Sequence, residues 1–411
     1  MNIRPALAVK LLLPILAAAA LTPALQAQGQ LEEIPIGYLL SRKAGFNTAD
    51  RAGASMGVSE VNRQAKILGK RFALLFAEGG HSTEVVAQAV DLMERRGVRV
   101  LMGSVSGAAT VALARLAQER GVIFFNVGSE ADSLRGAKCD RNTFHVGPSL
   151  TMRVRALGQW AVHGNEWKRW AIVEGTSRTE QRLAAAAQRY LAANGGLAAG
   201  IVRVGDAEVY DSGPVMDAIR GFEAEFVFVA LTGERQEVFL ESYQQAGLKA
   251  PVGGAKPELI RFGRRTVKAA GFWSTGWSHL NRIYGASELN NRYVKFAGIP
   301  MNERAWSAWA GVKILGEAIL RVESTDSEAL SGYLRNDMRF DGYMGAAMSF
   351  RPWNNQLRAA LSIVEVNHGA DWNGWDAVVP KGRVPLRGLK GWKGNPMDSL
   401  GFTREESGCS F

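Results

Sequence analysis

Short apolar runs alternate with amphipathic segments through the first third of the chain. The runs have the length of buried strands, and each is followed by apolar residues at helical spacing. Repeated units of this kind predict a parallel sheet covered by helices on both faces. The predicted strands are residues 34–40, 72–76, 98–102 and 122–126.

The same alternation restarts after Pro148. Ser177 and Glu180 form a capping-box pattern that opens an Ala-rich helix. Because 411 residues exceed what one core usually holds, two such units predict two lobes. Two more helices, 303–322 and 327–335, and a strand at 361–366 follow. The strands predicted for the second unit are 170–174, 201–204, 226–231 and 251–253.

The N-terminus has the pattern of a secretory signal peptide. Arg4 and Lys10 precede an apolar stretch, 11–21, that is short for a membrane span, and a small residue, Ala27, offers a cleavage point. We therefore expect export to the periplasm with cleavage near Ala27. No cysteine lies near that point, which argues against a lipid anchor.

Composition changes after residue 368. The segment 369–411 is rich in glycine and proline and carries basic residues that add to a net charge of +10. It is too irregular to form a lobe, so it is either disordered or held across the body by Trp372, Trp375 and Trp392. The basic residues are not massed with stacking aromatics on a structured face, so no nucleic-acid partner is expected.

The chain has two cysteines, Cys139 and Cys409. In an exported protein, oxidising conditions favour a disulfide between them. Such a bond would tether the C-terminal segment to the body.

Motifs for catalysis or cofactor binding were not found in the sequence. The five histidines are scattered singly, and neither a nucleotide-binding loop nor a nucleophile elbow occurs. We therefore expect no catalytic residues, no cofactor and no metal site. An exported enzyme stays open as an alternative.

The turn after the third predicted strand is the strongest candidate for binding. Gly103, Ser104, Ser106 and Gly107 lead directly into a helix. Small hydroxyl residues at such a turn leave backbone N–H groups free for the polar end of a ligand. The alternative is that the two serines only cap the helix.

Five segments together resemble the type I periplasmic binding proteins of the branched-chain amino acid family. In chain order they are 53–62, 103–110, 144–149, 226–248 and 343–350. More narrowly, the chain is similar to the substrate-binding proteins that accompany PQQ-dependent alcohol dehydrogenase systems. The resemblance implies a monomeric receptor that closes on a small-molecule ligand and hands it to an ABC permease in the inner membrane. A ligand-sensing partner of a membrane receptor and an exported enzyme of alcohol or PQQ metabolism are the alternatives.

The implied fold is α/β, with two Rossmann-like lobes whose parallel sheets are joined by a three-crossover hinge. The crossovers are expected near Gly147, Trp277 and Asp341. The first predicted lobe is then 34–147 with 278–340, the second is 148–277 with 341–368, and 369–411 is a C-terminal tail.

The resemblance also implies a ligand site in the cleft. In the family, a serine of the glycine-rich turn and a threonine after the fourth strand hold the ligand carboxylate; here Ser106 is present, but Glu130 takes the threonine position. Arg178 replaces a covering aromatic, and the acid that receives the ammonium falls at Glu234 or Arg235. This pattern argues against an ordinary α-amino acid and favours a polar neutral, cationic or metal-bridged ligand. The expected ligand-binding residues are Ser104, Ser106, Gly107, Ser129 and Glu130 of the first lobe, Glu174, Arg178 and Glu234 of the second, and the apolar shelves Phe46 and Trp277.

Overall fold

A computed structural model describes residues 31–42, 47–205, 212–256, 270–367, 378–389, 392–409 and 411. Its strands form two sheets, one of five strands and one of seven. We call the unit built on the five-stranded sheet lobe one and the unit built on the seven-stranded sheet lobe two. The structure thus confirms the predicted two-lobed α/β fold.

The sheet of lobe one is parallel throughout, in the order β2-β1-β3-β4-β5. Register places Tyr38 of the first strand beside Phe76 and Met102 of its two neighbours. These strands are β1 (Glu32–Ser41), β2 (Lys70–Gly79), β3 (Val100–Ser104), β4 (Ile123–Asn126) and β5 (Thr143–His145).

Six helices cover this sheet. The first three connect successive strands, and the last three come from a later part of the chain. They are α1 (Asn47–Ala65), α2 (Ser82–Arg96), α3 (Gly107–Arg120), α8 (Ala286–Ala297), α9 (Glu303–Val322) and α10 (Ser327–Asn336). Helices α1 and α9 pack so closely that a Cβ on Gly53 would lie 2.1 Å from the Ala305 carbonyl oxygen. The residue at this contact therefore cannot carry a side chain.

The sheet of lobe two runs β12-β11-β10-β9-β8-β6-β7. Strands β6 to β10 pair in parallel, and β11 and β12 add antiparallel at one edge. The strands are β6 (Arg169–Gly175), β7 (Leu197–Val204), β8 (Phe226–Ala230), β9 (Val252–Gly254), β10 (Gly271–Thr275), β11 (Leu361–Val366) and β12 (Val378–Val384). The helices are α4 (Leu150–Gly158), extended by a π-helical turn over Gln159–Gly164, α5 (Arg178–Ala193), α6 (Gly213–Gly221) and α7 (Glu234–Gln245).

Before the C-terminal segment, the chain passes between the lobes three times within the described residues. The first passage lies between β5 and α4, and the second lies between β10 and α8. The third was expected near Asp341 but lies between Ala359, in the core of lobe one, and Leu361, in the core of lobe two. The intervening segment stays in lobe one because its apolar residues, Met344, Met348 and Phe350 among them, belong to that core.

The C-terminal segment is ordered where the structure describes it. Strand β12 extends the sheet of lobe two, and a disulfide joins Cys139 to Cys409 with the Cα atoms 6.1 Å apart. The predicted disulfide is therefore present. A short helix, α11 (Arg404–Ser407), precedes Cys409. Trp372 and Trp375, like the predicted signal peptide, lie outside the described residues.

None of the helices in the described ranges combines the length and apolar character that crossing a bilayer requires.

Candidate functional site

The carboxyl ends of the two parallel sheets meet between the lobes. On lobe one, the residues after β4 include Glu130; on lobe two, the residues after β9 include Lys256, whose Nζ lies 3.2 Å from the Glu130 Oε1. In parallel α/β sheets this edge carries ligand sites, because loops and helix N-termini gather there. We call the space between these two edges the cleft.

The hydroxyl groups expected on lobe one lie close together. Ser106 is the exposed N-cap of α3, and its Oγ accepts from the Ala109 N–H at 3.4 Å. A Cβ on Gly107 would lie 3.7 Å from the Ser129 Oγ, so the turns after β3 and β4 adjoin. Ser106 therefore does cap the helix, and its exposure also leaves it open to a ligand.

Ser104 is buried beneath this surface, where it meets an ion pair that the sequence did not reveal. The Arg304 Nη2 donates to the Ser104 Oγ at 2.6 Å and to the Asp50 Oδ2 at 3.0 Å. Asp50 is fully buried, and burial raises its pKa while the Arg304 charge opposes the rise. Because 254 residues separate the pair, no local pattern could have indicated it.

The Asp50 carboxylate is surrounded by polar atoms without partners. Its Oδ1 and the hydroxyl groups of Tyr38 and Tyr293 are buried, and within the described ranges none of these three atoms has a hydrogen-bond partner. The Asp50 charge contributes to raising the pKa of both tyrosines, so the three groups are electrostatically coupled. These three atoms therefore leave hydrogen-bonding capacity unused near the start of α1.

Glu130 takes part in a buried ionic network. The Arg153 Nη2 lies 2.8 Å from the Glu130 Oε1 and also pairs with Glu303, and the Arg153 side chain is only 1% exposed. Burial by itself would raise the pKa of Glu130, but the charges and hydrogen bonds of Arg153 and Lys256 lower it to about 2. Glu130 therefore stays ionised and already has two cationic partners.

The network also holds the passages between the lobes. Arg153 lies in α4, just after the first passage, and its Nη1 donates to the Ser274 carbonyl oxygen at 3.1 Å. Glu303, at the start of α9, accepts from the Thr275 hydroxyl at 2.9 Å and the Gly276 N–H at 2.7 Å at the second passage. Arg153 and Glu303 thus bind two crossovers to each other, a role that the sequence did not predict.

On lobe two, a buried carboxylate, Glu180, distinguishes between the two alternatives Glu234 and Arg235. Glu180 is fully buried and accepts from the Thr232 N–H at 2.9 Å and from the Arg235 Nη2 at 2.6 Å. Its pKa is lowered because hydrogen bonds, those of Ser177 foremost, outweigh the effect of burial. Since Arg235 is directed to Glu180 and Glu234 is exposed, Glu234 is the freer of the two residues.

Glu174 and Arg178 are the other two residues predicted for lobe two. Glu174, at the end of β6, is 13% exposed, and its Oε2 lies 3.3 Å from the Arg203 Nε. Arg178 is the exposed first residue of α5. In the described part of the chain, the polar contacts that cross to Glu130 come from Arg153 and Lys256. In that part of the chain no polar contact joins Glu174 or Arg178 to Glu130, and their role in binding stays a prediction.

Of the two predicted apolar shelves, Trp277 and Phe46, the structure describes Trp277. Trp277 is 3% exposed and stacks on Trp306 at 6.1 Å between ring centroids, inside the core of lobe one. Its position is therefore that of a core residue, because another tryptophan covers its face. Phe46 lies outside the described residues.

No three His, Cys, Asp or Glu side chains converge in a way that could hold a metal ion, as far as the described ranges extend. His145 is buried between Asn126 and the Leu134 carbonyl oxygen. Burial, with the nearby Arg135 charge, lowers its pKa well below the ordinary value. It is thus held as a neutral structural side chain.

Comparisons with solved structures agree with this architecture. A branched chain amino acid ABC transporter periplasmic ligand-binding protein from Burkholderia xenovorans LB400 is 18% identical, with a TM-score of 0.79 over 92% of this chain and 99% of the other. An ABC transporter substrate-binding protein from Desulfitobacterium hafniense, in complex with Leu, is 17% identical, with a TM-score of 0.71 over 83% and 100%. A solute binding protein of an ABC transporter from Rhodopseudomonas palustris BisB5, in complex with 3,4-dihydroxy benzoic acid, is 15% identical, with a TM-score of 0.66 over 86% and 97%.

No relative was found among curated proteins. The family match is extensive, because residues 33–371 match the family described as periplasmic binding protein. A family of binding proteins is not enzymatic, which agrees with the expectation that this chain has no catalytic role. The chain belongs to the periplasmic binding protein family.

Proposed function

We propose that this chain is the exported, monomeric receptor of an ABC importer and captures a small polar ligand between its lobes. The observation that carries the proposal is the contact of Lys256, after β9, with Glu130, after β4, because it brings the ligand-bearing edges of both sheets together. Relatives of the same fold are described as ABC transporter binding proteins, which supports the transport role. The signal-peptide pattern ending near Ala27 supports export.

The wall of lobe one suits the oxygen atoms of a ligand. Ser106 and Ser129 offer hydroxyl groups, and Gly107 begins α3, whose first N–H groups have no partners within the helix. Ser104 lies beneath them and carries the Arg304 guanidinium. We propose that these groups, with Glu130, hold the polar end of the ligand.

The wall of lobe two supplies charges of both signs. Glu174 and Glu234 can face a cationic group, and the exposed Arg178 can face an anionic one. Because Arg153 and Lys256 already neutralise Glu130, no bridging cation is needed there. We therefore infer a polar neutral or cationic ligand rather than an ordinary α-amino acid or a metal-bridged one. A ligand carboxylate beside Glu130 would have to compete for Lys256.

We further propose, on the sequence resemblance alone, that the chain serves a PQQ-dependent alcohol oxidation system. Deletion of the gene should then impair growth on alcohols, and normal growth of the deletion strain on a range of alcohols would contradict the assignment.

A thermal-shift screen tests the receptor function. The purified mature protein is heated with leucine, 3,4-dihydroxybenzoate, uncharged polyols and amides, and small diamines. We expect a neutral or cationic compound to raise the melting temperature and to be recovered unchanged by mass spectrometry. A shift with leucine alone would overturn the ligand class, and conversion of the compound would overturn the receptor function.

Variants then test the site. The double variant Ser106→Ala with Glu130→Gln should weaken binding of the compound found in the screen at least tenfold while the protein stays folded. Asp326→Ala removes an N-cap from α10, far along lobe one, and Glu119→Gln removes an exposed ion pair. These two controls should bind normally. Unchanged affinity in the double variant would remove Ser106 and Glu130 from the site.

A further inference from the structure

A groove of about 560 Å³ lies beside the third passage between the lobes. One side is the loop of lobe one around Met344, and the other is the chain that follows β12 in lobe two. Ala360, just before β11, also lines it. The lining also includes Met344, Arg383, Leu386, Arg387, Trp392 and Met397. None of the residues proposed for the cleft belongs to this lining.

Two arginines give the groove a positive charge. Arg383 donates to the Met344 carbonyl oxygen, while its Nε is buried and has no hydrogen-bond partner among the described residues. Burial lowers the pKa of Arg383 because removing a cation from water is unfavourable. Arg387 is exposed at the same groove. No Asp or Glu occurs among the described residues that line it.

The backbone is shaped to admit the Arg383 guanidinium. Gly345 has a φ of +74°, which an L side chain rarely adopts. A Cβ there would also lie 3.0 Å from the Arg383 Nη1. The loop of lobe one therefore receives the cation closely and leaves its Nε edge without an anion.

The rest of the lining is apolar and adaptable. Met344, Leu386 and Met397 contribute flexible or branched aliphatic groups, and Trp392 contributes a ring whose Nε1 already donates to the Asn395 carbonyl oxygen at 3.0 Å. Methionine and tryptophan side chains suit flat apolar groups. The volume fits a small molecule.

We propose that this groove is a second binding site, and that it takes a small carboxylic acid with an aromatic or branched apolar body. The carboxylate pairs with Arg383 and Arg387, bidentate geometry being available to a guanidinium. The apolar body lies against Met344, Leu386 and Trp392. The site is independent of the ligand proposed for the cleft, because the two share no residue.

Calorimetric titration of the whole mature protein tests the site, with phenylacetate as the probe and the neutral phenylacetamide as its matched control. We expect phenylacetate to bind and phenylacetamide to bind at least tenfold more weakly. Arg383→Gln should weaken phenylacetate binding at least tenfold, and Arg387→Gln severalfold. The cleft variant Ser106→Ala with Glu130→Gln should bind phenylacetate normally.

A second variant fills the groove without touching the arginines. Ala346 is exposed and lines the groove, so Ala346→Trp should abolish phenylacetate binding with an unchanged melting temperature. If Arg383→Gln does not fold, Ala346→Trp still tests whether phenylacetate binds in this groove. Absence of binding at millimolar phenylacetate, normal binding by Ala346→Trp, or loss of binding in the cleft variant would each overturn the proposal.

Discussion

The ionic network at Glu130 predicts a specific loss of stability in acid. The pKa of Glu130 lies at about 2 in the folded protein, against an ordinary value of 4.5, and the side chain is 19% exposed. Because the folded protein binds the proton more weakly, ionised Glu130 stabilises the fold above pH 4.5. This stabilisation is lost as the pH falls through the folded-state pKa.

The magnitude follows from the two pKa values. A difference of about 2.5 units corresponds to about 3 kcal/mol of unfolding free energy at neutral pH. At pH 3 the same relation leaves about 1 kcal/mol. Protonation of Glu130 alone should thus lower the unfolding free energy by about 2 kcal/mol between pH 6 and pH 3.

Urea unfolding of the wild type and of Glu130→Gln, followed by tryptophan fluorescence and far-UV circular dichroism from pH 3 to 6, measures this contribution. The variant should be less stable than the wild type at pH 6. The difference between their unfolding free energies should be about 2 kcal/mol smaller at pH 3. Titration of other groups cancels in the difference between the two proteins.

Glu119→Gln serves as the matched control, since Glu119 is 56% exposed and its pair with Arg115 is at the surface. The unfolding free energy of Glu119→Gln should stay within about 0.5 kcal/mol of the wild-type value at every pH. A difference in unfolding free energy between the wild type and Glu130→Gln that stays constant from pH 6 to 3 would refute the reasoning. It would mean that Glu130 has the same pKa in the folded and unfolded chains.

Three further predictions concern the frame around the cleft. Replacing Cys139 and Cys409 by serine should lower the unfolding free energy in urea by about 2 to 5 kcal/mol relative to the oxidised wild type, and the reduced wild type should behave like the variant. Gly53→Ala should destabilise by about 3 kcal/mol, because its Cβ would meet a backbone oxygen of α9 at 2.1 Å. The control Gly332→Ala, with nothing within 4 Å, should be neutral or stabilising in thermal melts, and equal effects would contradict the packing argument. Asp398→Asn should cost about 3 kcal/mol in urea unfolding, because it leaves two largely buried guanidinium groups without their carboxylate; a cost below about 0.5 kcal/mol would show the pairs to be dispensable.

Local signals in the sequence predicted the repeated strand–helix units well. Ser177 with Glu180 forms the expected capping box at the start of α5, and Gly121 ends α3 in a left-handed conformation. The strand at residues 72–76 is longer in the structure, Lys70–Gly79, because pairing with β1 continues past its apolar centre. Such features depend on residues within one turn or one strand, which is why periodicity reveals them.

The site was predicted only in part because its charges are paired over long distances. Glu130 was identified from the sequence, but its partner Arg153 reaches Glu303, 150 residues further on. The third passage was misplaced for a related reason: the bridge between Phe340 and Met348 keeps that segment in lobe one, and no local pattern distinguishes it from a segment of lobe two.

The C-terminal segment constrains how the lobes can move. Its β12 belongs to the sheet of lobe two, and Arg155 of α4 binds the Gly401 carbonyl oxygen and Glu406. Its end belongs to lobe one through the bond from Cys409 to Cys139.

Between these two attachments, Asp398 binds Arg351 and Arg358 at the third passage, with the closest Nε–Oδ1 distance 2.8 Å in each pair. A segment fixed to both lobes permits relative rotation only about an axis near its own attachments. We therefore expect the lobes to pivot beside the third passage and to open at the side of the cleft that lies away from it.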